Sequence, residues 1–181
     1  MSGERKILGA VIAGGLSRRF GSDKALALIG GRPMMSHVIE ALRPQVAEVV
    51  ICGRTWPGMR TLADRREGGL GPLAGLEAAL HDATHQGFAA VLSVPVDVLP
   101  LPVDLAERLQ DAGPAVLQHQ HMVGYWPIEC LEPLGRYISS GGRAVRGWVA
   151  EADARMVTEP FRIENINFPD DLTHLVSPWN C

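Results

Sequence analysis

A stretch early in the chain combines adjacent glycines with several cations. The pair Gly14-Gly15 can bring backbone N–H groups close to phosphate oxygens, because glycine has no Cβ that would keep a ligand away. Arginine can bind phosphate oxygens through two parallel hydrogen bonds, and lysine supplies a mobile point charge suited to charge that develops during transfer. Arg18, Arg19 and Lys24 supply these cations. The residue types therefore predict a loop that binds a nucleoside triphosphate.

This loop matches neither of two common nucleotide motifs. No Gly-Lys-Ser/Thr follows a four-residue gap, as a Walker A sequence requires, and Gly14-Gly15 lacks the spacing of GxGxxG. A glycine turn with solvated arginines has the same composition. On residue types alone, a phosphate-binding loop and a surface turn are both open interpretations.

The elements around the loop predict how it is positioned. Ile7 to Ala13 form an apolar run that ends at Gly14-Gly15, which predicts a buried strand of a parallel sheet leading into the loop. Strands and helices then alternate, a rhythm that predicts a parallel sheet with helices on both faces. The helices are predicted over residues 33–42, 72–85 and 102–112, and the further strands over 46–52 and 89–94.

The second half of the chain is less regular. It predicts strands over 114–118 and 123–128 and helices over 131–138, 143–150 and 169–176. No repeat or linker divides the sequence, so residues 1–181 are predicted to form a single α/β domain with a mostly parallel central sheet. Because ligands bind at the carboxyl ends of parallel strands, we expect the site in the loops after Ile12, Cys52 and Val94.

Composition narrows the class of protein. Of 181 residues, 46% are hydrophobic and 20% charged, which is typical of a folded soluble protein. A formal net charge of −3 lacks the basic excess of a nucleic-acid binder, and the apolar run from Ile7 to Ile12 is too short to span a membrane. The 3 cysteines contain no CxxC pair, which fits a reducing compartment. We therefore expect a cytoplasmic protein that acts on small molecules, without nucleic acid or membrane partners.

Asp97 is the candidate metal ligand. It follows the predicted strand that ends at Val94, so its carboxylate is expected at the carboxyl edge of the sheet. A magnesium ion that bridges phosphate oxygens typically uses one or two carboxylates and several waters. The other interpretation is an Asx turn, or a cap for the helix that begins near Pro102.

Histidine pairs supply a competing hypothesis. His81-Asp82-Ala83-Thr84-His85 resembles the HExxH zinc motif, with Asp in place of the general base and no third ligand at an obvious spacing. Two surface histidines near a helix end are the preferred interpretation, since imidazoles there suit the helix dipole. His119 and His121 alternate at a predicted strand end, so both rings are expected on one face.

The order of residues adds a family resemblance. The run Ala13-Gly14-Gly15-Leu16-Ser17-Arg18-Arg19-Phe20-Gly21-Ser22-Asp23-Lys24-Ala25-Leu26 closely resembles the LAGGxSxRMGxDKxL signature of the molybdenum cofactor guanylyltransferases. The similarity continues at Gly71-Pro72-Leu73-Ala74-Gly75, at Asp97, and at Asn165-Ile166-Asn167-Phe168-Pro169-Asp170-Asp171-Leu172. The resemblance therefore spans nearly the whole chain.

The resemblance implies a Rossmann-like nucleotidyltransferase that joins the GMP part of GTP to the phosphate of molybdopterin, releasing pyrophosphate with Mg²⁺ as helper. It also assigns roles by matching positions. The backbone of the nucleotide-binding stretch corresponds to Ile12, Ala13, Gly14 and Gly15. Arg19 and Lys24 correspond to phosphate contacts, Asp97 to the metal ligand, and Asn165 and Asn167 to polar positions on the pterin side.

Other positions complete the implied nucleotide site, with departures from the family pattern. Gly71 opens a helix against which a base can lie, and Asp64 corresponds to a nucleotide-contacting aspartate. Cys52 stands where relatives carry an asparagine near the guanosine, which leaves a backbone contact there but puts a side-chain contact in doubt. Phe168 replaces a common threonine and Val96 a common cysteine, and neither change removes a charge.

The second substrate is expected at the distal part of the chain. His121 lies in a segment that resembles the family's region near the pterin, and Arg143 and Arg146 are spaced to meet a pterin phosphate from one helix. The resemblance also implies transient contact with proteins of molybdenum insertion or apoenzyme maturation. A nucleotidyltransferase that uses CTP or a sugar phosphate, and an inert nucleotide-binding module, remain rival hypotheses.

Overall fold

The computed structural model describes residues 6–14, 24–66, 70–160 and 162–166. Its strands, in chain order, are β1 (Ile7–Ile12), β2 (Leu28–Ile29), β3 (Arg32–Pro33), β4 (Glu48–Cys52), β5 (Arg60–Leu62), β6 (Ala90–Pro95), β7 (Val98–Leu99), β8 (Ala115–Leu117), β9 (Gly124–Pro127), β10 (Arg155–Val157) and β11 (Glu164–Asn165). Its α-helices are α1 (Met34–Leu42), α2 (Pro72–Gln86), α3 (Leu105–Leu109), α4 (Leu131–Ser139) and α5 (Val145–Glu151).

The central sheet has 7 strands in the order β5-β4-β1-β6-β9-β8-β10. β9 runs antiparallel to β6 and β8, and the other neighbours are parallel. In the middle of the sheet, Gly9 of β1 pairs with Val49 on one side and Leu92 on the other. The predicted mostly parallel sheet is confirmed, with β9 as its antiparallel strand.

The two faces of the sheet bury separate hydrophobic cores. Along β1, Ile7 and Val11 point into a core with α1 and α3, whereas Leu8, Ala10 and Ile12 point into a second core with α2, α4 and α5. Successive side chains of a strand point to opposite faces, and burial on both faces requires the continuous apolar run seen in β1. The expected helices on both faces are therefore present.

The helices that flank β1 follow local sequence signals. α1 begins directly after Pro33, and its buried stripe consists of Met34, Met35, Val38, Ile39 and Leu42. α2 begins with Pro72, as expected for a residue with a preset φ, and ends at Gln86, before Gly87, which adopts the left-handed conformation with φ 77°. Within the described ranges, no helix has the length and apolar character needed to cross a membrane.

Several sequence predictions need correction. The helix predicted over 102–112 is limited to 105–109, because Gln110 turns extended at φ −60° and ψ 125°. The helix predicted over 143–150 begins at Val145, since Ala144 is extended and Gly141 has φ 99°. The structure adds short strands of two or three residues for which the sequence carries no strand signal, namely β2, β3, β5, β7, β10 and β11. The helix predicted over 169–176 lies outside the described residues.

Candidate active site

The candidate site lies where β1, β4 and β6 end side by side. Beyond the strands, the Ala13 amide donates to the Cys52 carbonyl at 3.0 Å, and the Val96 amide donates to the Ile12 carbonyl at 3.2 Å. The Gly53 amide donates to the Leu62 carbonyl at 3.0 Å, which holds the end of β5 beside the end of β4. The three loops named from the sequence therefore meet at one edge of the sheet.

Gly14 and Gly53 contact each other backbone to backbone at this edge. Gly53 has φ 85°, and a Cβ placed on it would lie 2.5 Å from the Gly14 Cα. A Cβ on Gly14 would in turn lie 3.3 Å from the Gly53 Cα. Any side chain at Gly53 is therefore both strained and in collision with the loop after β1. Gly14, singled out for approach to phosphate, also has this packing constraint.

Cys52 occupies the end of β4 with its side chain turned away from the edge. The side chain is 0% exposed, and a Cβ on Gly75 of α2 would lie only 3.1 Å from the Cys52 Cβ. Burial, helped by the charges of Asp64 and Asp82, raises the pKa of the thiol to about 12. Cys52 is thus a neutral packing residue, and its carbonyl, which accepts from Ala13, is what it offers to the edge.

A cleft of about 280 Å³ opens beside these loops, between the ends of β4 and β5. Asp64 lines it and is exposed. Arg54 lines it from the other loop, with its guanidinium carbon 5.9 Å from the centroid of the Trp56 ring. The remaining lining residues are Gly53, Thr55, Thr61, Leu62 and Ala63. The sequence patterns did not single out Arg54, although its place two residues after the end of β4 is a usable signal.

Asp97 lies in the turn that follows β6 and is half-buried. Its carbonyl accepts a hydrogen bond from the Ile166 amide at 2.8 Å, and the next residue, Val98, pairs with Asn165 across β7 and β11. The structure therefore brings the backbone of Asn165 beside Asp97, although these residues are far apart in sequence. This neighbourhood joins the predicted metal ligand to a predicted pterin-side position.

The donor set around Asp97 can be compared with what Mg²⁺ requires. Within the described part of the chain, no cluster of three or more His, Cys, Asp or Glu side chains is arranged to hold a metal. Mg²⁺ is usually bound by one or two carboxylates together with substrate phosphates rather than by a cage of protein ligands. A carboxylate such as Asp97 at the ligand-binding edge fits that mode of binding.

Gly71 precedes the first residue of α2 and has φ 64° and ψ −151°. A Cβ on Gly71 would meet nothing within 4 Å, so the backbone conformation rather than crowding requires glycine here. The Gly71 carbonyl accepts from the Ala74 amide at 3.2 Å, which starts the helix. Gly75, in the first turn of α2, lies against the side chains of Cys52 and Ile12, which brings this turn beside the ends of β4 and β1.

Some predicted site residues have no described geometry. Gly15, Arg19 and Asn167 lie outside the described residues. Lys24 opens a short 3-10 turn over Lys24–Leu26, and its side chain is not described. The Asn165 side chain is likewise outside the description. The roles implied for these residues remain predictions.

The two arginines predicted on the pterin side lie near the turn between α4 and α5. Arg143 precedes α5 rather than lying on it, so the expectation that both arginines share one helix is wrong. The Arg143 Nη1 donates to the carbonyls of Ile138 and Gly142 at 2.8 and 2.7 Å, where it complements the carboxyl end of α4. Arg146 is exposed in the first turn of α5.

The histidines adopt local contacts. The His121 Nε2 lies 3.1 Å from the Gln118 carbonyl, and His119 contacts Glu159. In the zinc-like motif, the rings of His81 and His85 lie 4.1 Å apart. Asp82, in the place of a general base, accepts instead from the Arg60 Nη1 at 2.7 and 2.8 Å. The interpretation as surface histidines is consistent with these contacts.

Comparison with known proteins places these features in a family. The model of the MobA-like NTP transferase domain matches residues 9–160. A molybdenum cofactor guanylyltransferase of Acidiphilium cryptum is 36% identical over 178 residues, covering 90% of each chain. One from Cereibacter sphaeroides is 36% identical over 186 residues, covering 95% of this chain and 96% of its own.

Solved structures show the same fold. The crystal structure of molybdopterin-guanine dinucleotide biosynthesis protein A from Archaeoglobus fulgidus superposes with a TM-score of 0.73 at 20% identity, covering 93% of this chain and 95% of that one. The family match includes the edge formed by β1, β4 and β6 as well as Asp97. The chain therefore belongs to the family of MobA-like NTP transferases.

Proposed function

We propose that the protein transfers GMP from GTP to the phosphate of molybdopterin and releases pyrophosphate. The observation that carries the proposal is the convergence at one edge of the sheet of the Gly14 and Gly53 backbones, the cleft at Asp64 and the turn that carries Asp97. Relatives named molybdenum cofactor guanylyltransferase, which align over most of the chain, support the choice of both substrates.

The nucleotide occupies the part of the edge formed by β1, β4 and the start of α2. The backbone of Ile12, Ala13, Gly14 and Gly15 contacts the phosphates and ribose. The base enters the cleft, where the Asp64 carboxylate can accept from the ring and exocyclic N–H groups of guanine. The Cys52 carbonyl and Gly71 bound this space through backbone atoms. Recognition of the nucleotide therefore relies on backbone geometry and on Asp64 and Arg54.

Charge stabilisation supplies the rest of the catalysis. Transfer needs positioned cations rather than a side-chain nucleophile, because the substrate phosphate is itself the nucleophile. Asp97 would hold Mg²⁺, which when bound neutralises charge on the triphosphate oxygens. Arg19 and Lys24 neutralise the departing pyrophosphate. An oxygen of the molybdopterin phosphate forms the new bond to the α-phosphorus, and the bond between that phosphorus and the bridging oxygen to the β-phosphate breaks.

The pterin binds on the distal part of the edge. Asn165 and Asn167 contact it next to Asp97, which is supported by the pairing of Asn165 with Val98. His121, Arg143 and Arg146 approach from the other side of this region. Arg146, exposed at the amino end of α5, is the better placed of the two arginines to meet an anion, since Arg143 already binds carbonyls.

The proposal extends to the cell compartment and to the protein partners. Cys52 and Cys130 are free thiols, which supports a reducing compartment such as the cytoplasm. A reactive cofactor product is expected to pass by transient contact to proteins of molybdenum insertion or apoenzyme maturation.

The test is an assay of pyrophosphate release. The purified protein is incubated with Mg²⁺, molybdopterin and each nucleoside triphosphate in turn. We expect release with GTP that depends on molybdopterin. Release with CTP in preference to GTP would contradict the choice of GTP as substrate. No release with any of the nucleoside triphosphates would indicate an inert module.

A further inference from the structure

An ion pair between the half-exposed Arg66 and the buried Glu77 joins the segment after β5 to α2. Glu77 lies in the second turn of α2 and is 2% exposed. The Arg66 Nε lies 3.0 and 2.9 Å from its two carboxylate oxygens, and the Arg66 Nη2 lies 2.7 Å from Oε1. Glu77 is the sole buried charged residue in the described ranges 6–14, 24–66, 70–160 and 162–166. The carboxylate is therefore fully engaged by this arginine.

The same guanidinium reaches a third element. The Arg66 Nη1 donates to the Ser139 Oγ at 2.8 Å, and the Nη2 approaches the Gly135 carbonyl at 3.4 Å. The Ser139 Oγ donates in turn to the Gly135 carbonyl at 2.8 Å. Arg66 thus connects the segment after β5, the second turn of α2 and the last turns of α4.

The energetics of such a pair indicate that it fixes the relative positions of the elements that it joins. Burying the Glu77 carboxylate costs free energy that its attraction to the half-exposed Arg66 guanidinium repays only with good geometry, and well-packed apolar residues often stabilise a fold equally well. An arginine with several directed hydrogen bonds specifies one arrangement of the elements that it joins. The Arg66–Glu77 pair is thus better suited to fixing geometry than to adding stability.

The location of the pair determines what it fixes. Asp64, which lines the cleft, is two residues before Arg66, and Gly71 opens the helix that carries Glu77. On the far side, α4 ends where Arg143 binds the Ile138 carbonyl. The pair therefore lies between the cleft and the turn that carries the predicted pterin-side arginines.

We propose that Arg66 and Glu77 are positioning residues that hold the Asp64 side of the nucleotide cleft against α2 and α4. The proposal rests on the proposed function only in taking this cleft as the nucleotide site. A cleft wall held in its bound position lowers the ordering cost of binding. Loss of the pair is expected to weaken nucleotide binding while the chemical step, which uses other residues, continues.

The experiment compares variants by calorimetric titration with Mg²⁺ and GTP or CTP, and by steady-state kinetics. In the double variant Arg66→Ala/Glu77→Gln, no buried charge is left unpaired. We expect Kd and KM for the nucleotide to rise about tenfold, with kcat within about threefold of the wild type. The matched control is Arg108→Ala/Asp104→Asn, an exposed ion pair at 2.6 Å between α3 and the residue before it, which should change neither constant.

A conservative variant keeps the test independent of folding. Arg66→Lys retains the charge beside Glu77 but loses the planar fork, so we expect an intermediate rise in Kd of about threefold. If the double variant does not fold, this variant decides the question. Unchanged nucleotide affinity in the folded variants, even with a lower melting temperature, overturns the proposal by showing a structural role alone.

The outcomes also separate this proposal from the proposed function. A wild type that binds CTP and not GTP contradicts the proposed function, while the positioning role is then measured with CTP. A wild type that binds neither nucleotide overturns both. A wild type that transfers GMP, with variants of unchanged KM, overturns the positioning role only.

Discussion

The two ends of the carboxyl edge are built differently. At the β1 and β4 end, backbone meets backbone, with Gly14 and Gly53 so close that a Cβ on Gly53 would lie 2.5 Å from the Gly14 Cα. At the β8 and β10 end, side chains hold the loops, since the His119 amide and Nδ1 contact the Glu159 carboxylate at 2.7 and 2.8 Å. The first end has no room for a side chain between its two loops. At the second end, the contact between the loops depends on the charge and hydrogen bonding of two side chains.

This difference suits two kinds of task. A triphosphate presents many acceptor oxygens, which fixed backbone N–H groups can approach closely when no side chain intervenes. A loop held by side-chain hydrogen bonds can instead respond to pH and to conservative exchange. We therefore expect substitutions at the nucleotide end to have the larger effects.

The largest effect is expected from Lys24→Ala. Loss of one cation that stabilises the departing pyrophosphate should slow transfer by ~10² to 10³. The measurement is kcat for pyrophosphate release with saturating GTP. Lys6→Ala, which removes an exposed lysine just before β1, is the control and should retain the wild-type rate. Unchanged turnover of Lys24→Ala would falsify the assigned role.

The next effect tests the backbone contact. Gly53→Ala adds a Cβ against Gly14 at a residue with φ 85°, so the free energy of unfolding should fall by about 2–4 kcal/mol. Gly58→Ala is the matched control, since Gly58 has φ 72° but nothing within 4 Å of an added Cβ. Its free energy of unfolding should fall by about 1–2 kcal/mol, from the strained backbone conformation alone. Urea denaturation of both variants measures the difference in their free energies of unfolding. Equal losses would show that the contact between Gly53 and Gly14 does not limit the size of residue 53.

Cys52→Ala should lower the stability of the fold slightly and leave nucleotide binding unchanged. The side chain packs against Gly75 and is buried, so we expect a loss of about 1 kcal/mol in the free energy of unfolding. The KM for GTP should stay at the wild-type value, because the carbonyl that faces the edge is retained. A clear rise in KM at wild-type stability would show that the thiol contacts the nucleotide.

The smallest effect concerns pH at the distal end. Burial acts to raise the pKa of Glu159, but hydrogen bonds from His119 outweigh it and hold the pKa below its ordinary value. A lowered folded-state pKa stabilises the fold above the ordinary value of 4.5, and this contribution is lost as the pH falls through the folded-state pKa. Glu159→Gln should lower the free energy of unfolding at pH 7 by about 0.5–1 kcal/mol and flatten its decline below pH 4.5.

The control for this prediction is Glu132→Gln on α4. Glu132 is 89% exposed and lies 3.8 Å from Arg136, so its exchange should leave the pH profile almost unchanged. Chemical denaturation at a series of pH values measures both profiles. Parallel profiles for Glu159→Gln and the wild type would contradict the stabilising role of the pair with His119.

The sequence predicts those elements whose signals are local. Each of three elements is signalled within its own stretch of chain. β1 has its apolar run, α1 has its buried stripe after Pro33, and α2 begins with Pro72. The short strands β7 and β11 carry no such signal, because two residues form a strand only when the fold brings a partner alongside. The helical pattern over 102–112 is longer than α3 for a related reason, since a pattern does not show where tertiary contacts stop.

The same distinction applies to the site. The position of Asp97 at the sheet edge follows from a strand signal before it, so sequence alone predicts it. The contact of Gly14 with Gly53 depends on β1 and β4 being neighbours, and the Arg66–Glu77 pair depends on how α2 packs. These contacts between distant residues require the folded structure.

The central claim is the transfer of GMP, and isotope labelling tests it most directly. The protein, molybdopterin and Mg²⁺ are incubated with GTP labelled at the α-phosphorus or, in parallel, at the γ-phosphorus. We predict that the α label appears in the pterin product and the γ label in pyrophosphate. A pterin product that carries the γ label, or an α label that never leaves GTP, would contradict the transfer of GMP.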